Sequence, residues 1–203
     1  MKTLITDNRL PSFTQQEKVM IKGSYDFLGL NYYTSTYVKY TGVVGRDFQD
    51  DGRYSTSETN SKGKEIGPLT GNGWQRECPE GLKQVLTWMD SRYCHPQIYI
   101  FETGVSIANE GLDKKGVKDK ERVKYYKEHI ESAAEAIEAG VDLKGFFVWS
   151  AIDNFSWSSG YDVRYGLIYA DYDDDISLTI KDSGYWYKEW IASQTMVHSN
   201  TTD

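Results

Sequence analysis

The chain has 203 residues, enough for one respectable core but short of the roughly 250 that a closed eight-stranded β/α barrel takes. Its 30 acidic and 23 basic residues leave a formal charge of −7 with no sustained basic run, which argues against nucleic acid as a partner. No apolar stretch approaches the roughly 18 residues of a membrane span, and Met1 to Pro11 lacks a signal-peptide centre. A soluble chain, not a membrane protein, is expected; its compartment stays open, with the cytoplasm slightly favoured.

In chain order, a polar lead-in through Pro11 and Thr14 to Lys18 gives way to Tyr25-Asp26-Phe27-Leu28-Gly29-Leu30-Asn31-Tyr32-Tyr33, read as a first buried strand. Residues 43–70 are rich in Gly, Ser, Thr, Asp and Lys without apolar period, which predicts a long surface loop that could hold a hairpin. After Pro79 the spacing of Leu82, Val85, Leu86 and Met89 marks one helical face ending near Tyr93. Next, Ile98-Tyr99-Ile100-Phe101 is β-branched and aromatic without polar alternation, as suits a parallel strand covered on both faces. Glu102 ends that run, and Thr103 and Gly104 turn the chain after it. A carboxylate at a strand mouth is how a barrel enzyme presents a catalytic group, although an exposed glutamate in a strand-to-loop turn has the same pattern.

From Asp119 to Gly140, Val123, Tyr126, Ile130, Ala133, Ala134 and Ile137 recur at helical spacing, and Gly140 closes the helix. A third apolar strand, Gly145 to Ser150, again turns polar at its end, in Asp153-Asn154. The last helix is placed from about Asp182 to Ser193, before a polar tail at 194–203. Strand and helix alternate as in parallel β/α units, which are right-handed and covered on both faces. Three such units cannot close a barrel, and an open sheet of three would leave apolar edges exposed.

Other signals are weaker. Aromatic residues make up 14% of the chain, with 16 Tyr and 6 Trp, rings that suit both core packing and sugar stacking. Cys78 and Cys94 read as small buried residues rather than a disulfide framework or a zinc site. His95, His129 and His198 offer no ligand pair and read as surface or packing residues, so neither metal nor cofactor is expected. Asn154-Phe155-Ser156 and Asn200-Thr201-Thr202 match the glycosylation sequon, the first among apolar residues and only the second in a plausible setting.

The ordered motifs RLPSFT (9–14), KGSYDFLGLNYYTS (22–35), CPEGL (78–82), IYIFETGVS (98–106), VWSAIDNFSWSSGYDVRYGLIYADY (148–172) and KDSGYW (181–186) closely resemble glycoside hydrolase family 1, the β-glucosidases and their relatives. The resemblance implies an α/β fold, the C-terminal half of a single (β/α)8 TIM barrel. One partial domain over 1–203 would hold three parallel β/α units, barrel strands six to eight, incomplete as a closed barrel. It implies a truncation, a split chain or an incomplete gene model, and a partner to cover the open edges: the N-terminal half-barrel or another copy.

Such enzymes are retaining β-glycosidases that use two carboxylates roughly 5 to 5.5 Å apart. The resemblance makes Glu102 the nucleophile, although the family's Thr-Glu-Asn-Gly reads Phe101-Glu102-Thr103-Gly104 here. It places the proton-donating glutamate in a Thr-Asn-Glu-Pro motif that this sequence lacks, so the isolated chain is expected to be inactive on β-linked glycosides. Tyr33 matches the tyrosine that holds the nucleophile, and Asn31 accompanies it. Trp149 matches the floor under the sugar ring, Trp157 an indole that reaches a sugar hydroxyl, and Trp74 a residue flanking the aglycone. Ser156 stands where ordinary members carry a glutamate that grips two outer hydroxyls, a loss expected to weaken sugar recognition at least about tenfold. Members acting on 6-phosphorylated sugars use serine there with a lysine and a tyrosine further on. This chain has Val163 and Tyr165, so the phosphate counter-charge is missing and a 6-phospho-β-glycosidase is the lesser reading. A non-catalytic glycan-binding or interaction fragment is the alternative from outside enzymology.

Overall fold

The computed structural model describes residues 11–42, 52–107 and 117–199, excepting the side chains of 195–199. Arg9 and Leu10 of the first motif, residues 43–51 of the expected loop, the second sequon and the His198 side chain lie outside the described residues. The chain opens with α1 (Gln15–Ile21), started by a capping box in which the Thr14 hydroxyl accepts from the Glu17 N–H and the Glu17 carboxylate accepts from the Thr14 N–H at 2.7 Å. None of its residues is buried. β1 (Leu28–Asn31) follows, then a hairpin of β2 (Tyr37–Tyr40) and β3 (Tyr54–Ser57), whose second strand falls within the expected surface loop.

The helix α2 (Pro79–Arg92), the strand β4 (Ile98–Glu102) and the helix α3 (Lys120–Glu138) sit where hydrophobic spacing puts them. β5 (Leu143–Phe146) begins two residues before the expected strand and ends sooner, although the Phe147 N–H still donates to the Ile100 carbonyl and the Trp149 N–H to that of Thr103. An antiparallel pair not foreseen in the sequence, β6 (Ile168–Asp171) and β7 (Ser177–Ile180), precedes α4 (Asp182–Ser199). That helix runs past Ser193, so the first part of the segment read as a polar tail is helical.

β1, β4 and β5 pair in parallel in that order, the incomplete barrel expected, with no closed barrel among the described residues. One face is well covered: Ile98 and Ile100 of β4 are wholly buried against Leu82 and Leu86 of α2 and Ala133 and Ala136 of α3. A second cluster of Val105, Tyr125 and Tyr126 gathers Val148, Leu167 and Trp186 around the start of α3.

The opposite face corrects the expectation of strands covered on both sides. Phe27, Phe101 and Phe147 are 45%, 44% and 53% exposed, and edge-on ring contacts join them with Tyr99. Gly29, Tyr99 and Gly145 lie in one register row, and a Cβ on either glycine would come within 2.7 Å or less of the Phe101 or Tyr99 ring. The first strand is therefore a half-exposed edge rather than a buried strand. Cys78 is only partly buried and Cys94, which takes positive φ in the turn between α2 and β4, is exposed, so neither is the fully buried residue expected. His95 is exposed and pairs with Asp90, while His129 is a buried packing residue.

Candidate active site

Local register creates the site. A bulge between Leu30 and Asn31 shifts the ladder so that Asn31 pairs with Glu102 and the Tyr32 N–H donates to the Glu102 carbonyl at 2.8 Å. Tyr33 then lands beside the end of β4, where its hydroxyl donates to the Glu102 Oε2 at 2.8 Å. Burial, then the hydrogen bond and charge of Glu102, push the Tyr33 phenol far above its ordinary range, so it stays a protonated donor.

Behind Glu102 the chain is tightly held. Thr103 is wholly buried with its hydroxyl 3.1 Å from that of Tyr125 on α3. Gly104 lies so close to the Trp149 carbonyl that a Cβ would approach it to 2.0 Å, which accounts for a glycine in this position. The Thr103 carbonyl accepts from the Trp149 N–H at 2.8 Å, tying the two strand mouths together.

Two loops close the sides. In the first, the Asn72 side-chain oxygen accepts from the Trp74 and Gln75 N–H groups, a side-chain-closed turn in which Gly73 takes positive φ. The same Asn72 donates to the Tyr165 hydroxyl at 2.6 Å. The second loop follows Trp149 and is pinned by the buried carboxylate of Asp153, which accepts from Arg164 at 2.9 Å, Lys181 at 3.0 Å and the Gly166 N–H at 2.9 Å. The Asn154 amide donates to the Ser150 hydroxyl and the Ile152 carbonyl, so it is engaged within its own loop.

These elements enclose a cavity of about 610 Å³ lined by Asn31, Tyr33, Trp74, Glu102, Trp149, Asn154, Phe155, Ser156, Trp157 and Tyr165. Every residue singled out in the sequence as catalytic or sugar-binding reaches this one space. Their surroundings differ: Tyr165 is buried, Glu102, Tyr33 and Trp149 are half-buried, and Trp74 and Trp157 are 54% and 89% exposed. Among the described residues Glu102 is the one carboxylate in the lining. Among the described residues no group of three or more His, Cys, Asp and Glu could hold a metal. Nor is any described helix long and apolar enough to cross a membrane.

The sequence did not single out Asn72, Gln75, Tyr125 or Asp153 for the site. Asn72-Gly73 was open to recognition as a turn dipeptide. Asp153 stood at a strand mouth, but its cationic partners are distant in sequence. Nothing local marked Gln75 or Tyr125.

A chain with this partial barrel and this cleft belongs to a known class: residues 1–196 match the profile of glycosyl hydrolase family 1, and the protein is a member of that family. It is 43% identical over 197 residues to furostanol glycoside 26-O-beta-glucosidase of Hellenia speciosa, covering 94% of this chain but 34% of that protein. Among solved structures it is similar to the family 1 β-glucosidase of Humicola insolens in complex with glucose, with TM-score 0.87 and 37% identity, covering 95% of this chain and 41% of that one. The β-glucosidase 2 of Trichoderma reesei in complex with Tris gives TM-score 0.85 and 38% identity over 95% and 42% of the two chains. The chain thus spans between a third and somewhat over two fifths of these relatives, less than the half expected.

Proposed function

We propose that this chain carries the nucleophile side of a retaining β-glucosidase-type site and becomes a working hydrolase when the remainder of the barrel is supplied. The observation that carries the reading is the 2.8 Å hydrogen bond from Tyr33 to Glu102 at the mouth of a parallel strand, inside a cavity lined by Trp74, Trp149 and Trp157. Holding Oε2 leaves the Glu102 Oε1 to attack the anomeric carbon. The bond from that carbon to the aglycone oxygen breaks as the carbon–Oε1 bond forms, and a proton must reach the leaving oxygen. Water then displaces Glu102, giving its proton to the same external acid–base group.

That group is the missing part. Retaining chemistry needs a second carboxyl roughly 5 to 5.5 Å from the first, and among the described residues the cavity lining supplies Glu102 alone. General acid help is worth about 10²- to 10⁴-fold, so the isolated chain is expected to be inactive on alkyl glycosides. The partner that fits is the complementary N-terminal part of a family 1 barrel, which would also meet the aromatic sheet face. The serine at 156, in place of a hydroxyl-gripping carboxylate, favours as a second reading a glycan-binding fragment without turnover.

The test is to assay an aryl β-glucoside with this chain alone, with the complementary part of a family barrel, and with that part plus Glu102→Gln. Turnover in the second arm only is the expected result; none in any arm, with assembly verified, refutes the hydrolase reading. Repeating the second arm with a galactoside, a fucoside and a 6-phosphoglucoside would establish what Ser156 selects.

A further inference from the structure

Where β1 and β4 part, the Tyr33 and Gly104 carbonyls are both acceptors and cannot bond each other. The Gln75 side-chain amide lies between them, donating to the Tyr33 carbonyl at 2.9 Å and to the Gly104 carbonyl at 2.7 Å. Bridging two acceptors takes a group with two donors, which a primary amide supplies without a charge to desolvate. Its own oxygen accepts from Asn72 at 3.2 Å and from the Tyr165 hydroxyl at 3.4 Å. Gln75 is wholly buried, so all of this is done without solvent.

From this bridge we infer that Gln75 is a positioning residue, fixing the spacing between the strand mouths so that the Tyr33 hydroxyl reaches the Glu102 carboxylate. Tyr33 follows Asn31, the partner of Glu102 in the ladder, and Gly104 lies two residues beyond Glu102. Clamping these two carbonyls therefore sets the geometry of the pair between them. The clamp also joins the Trp74 loop to the nucleophile, because Trp74 and Gln75 are adjacent and both N–H groups close on Asn72. The site significance of the clamp rests on reading Glu102 as the nucleophile; the clamp itself does not.

The experiment uses the chain itself, with a ¹³Cζ label on Tyr33. Glu102→Gln sets the resonance displacement that marks loss of the carboxylate acceptor. Gln75→Met, nearly isosteric but without donors, is expected to displace the resonance in the same direction by a comparable amount. Adding Glu102→Gln to Gln75→Met should then change little. Leu86→Ala, a core truncation remote from the clamp, should leave the resonance in place although it also lowers stability. A Gln75→Met resonance at the unsubstituted position, or moved equally by Leu86→Ala, overturns the inference. Should Gln75→Met not fold, the unsubstituted chain decides: both Gln75 side-chain amide protons should exchange with solvent far more slowly than those of an exposed glutamine, and free exchange overturns it. No glycoside is involved, so this outcome and that of the hydrolysis assay are separable.

Discussion

At the residue scale, the same burial that serves the site sets a pH limit on the fold. His129 is wholly buried, stacked on the Tyr125 ring at 3.8 Å, with its Nδ1–H donating to the Tyr125 carbonyl and Nε2 without a hydrogen-bond partner among the described residues. Burial lowers its pKa from 6.5 to about 4, the Tyr125 hydrogen bond opposing weakly. Between those values the unfolded state binds the additional proton, so stability rises with pH there and is lost as pH falls. The contribution is whole above pH 6.5 and amounts to about 3 kcal/mol at most. Denaturant midpoints at pH 7 and pH 4.5 should differ more in the unsubstituted chain than in His129→Phe. Equal differences would remove His129 as the cause. In the sequence His129 read as a surface or packing residue with nothing local to decide between them, and the fold makes it packing, buried beneath Tyr125.

At the element scale, legibility followed how local each cause was. The helix α2 was readable because Leu82, Val85, Leu86 and Met89 are the residues its partners cover. In α3 the apolar spacing identified a helix but misaimed its face: Ala134 and Ile137 are exposed, while Arg122, His129 and Ser132 are buried. Burial there depends on pairing that a hydrophobicity pattern does not record, since Arg122 is satisfied by Asp119 and by the Val105 and Arg164 carbonyls. The loop after β5 obeys the same logic through Asp153, whose partners Arg164 and Lys181 lie 11 and 28 residues away. Asp153→Ala would leave Lys181 buried without this counter-charge, and breaking such a pair costs about 3 to 5 kcal/mol. A thermal shift is expected together with faster proteolysis between residues 154 and 163, the segment carrying Ser156 and Trp157. Loss of stability without faster cleavage would separate the ion network from control of this loop.

For the molecule as a whole, the site and the uncovered sheet face are two views of one geometry. β4 turns Ile98 and Ile100 toward α2 and α3, Tyr99 and Phe101 the other way, and ends in Glu102. The glycines beside Tyr99 leave room for the Phe101 and Tyr99 rings, which meet Phe27 and Phe147 edge-on across three strands and leave a contiguous apolar area exposed. Val19, Met20 and Ile21 of α1 are also exposed, at 69%, 74% and 49%. The motifs made the partial barrel legible in the sequence; the exposed side of the sheet was not, because alternation along β4 is hidden in a run that is apolar at every position. The chain alone should therefore bind an anilinonaphthalene sulfonate dye, and the complementary barrel part should displace it. Phe27→Ser with Phe147→Ser should weaken dye binding severalfold while moving the melting temperature little, since both rings are about half exposed in the chain alone. In the completed barrel the same pair should weaken assembly, because there each ring would lose buried contact worth about 1.5 to 3 kcal/mol. Dye binding unchanged by the substitutions would locate the apolar surface elsewhere, and assembly unchanged by them would mean that the partner does not use this face.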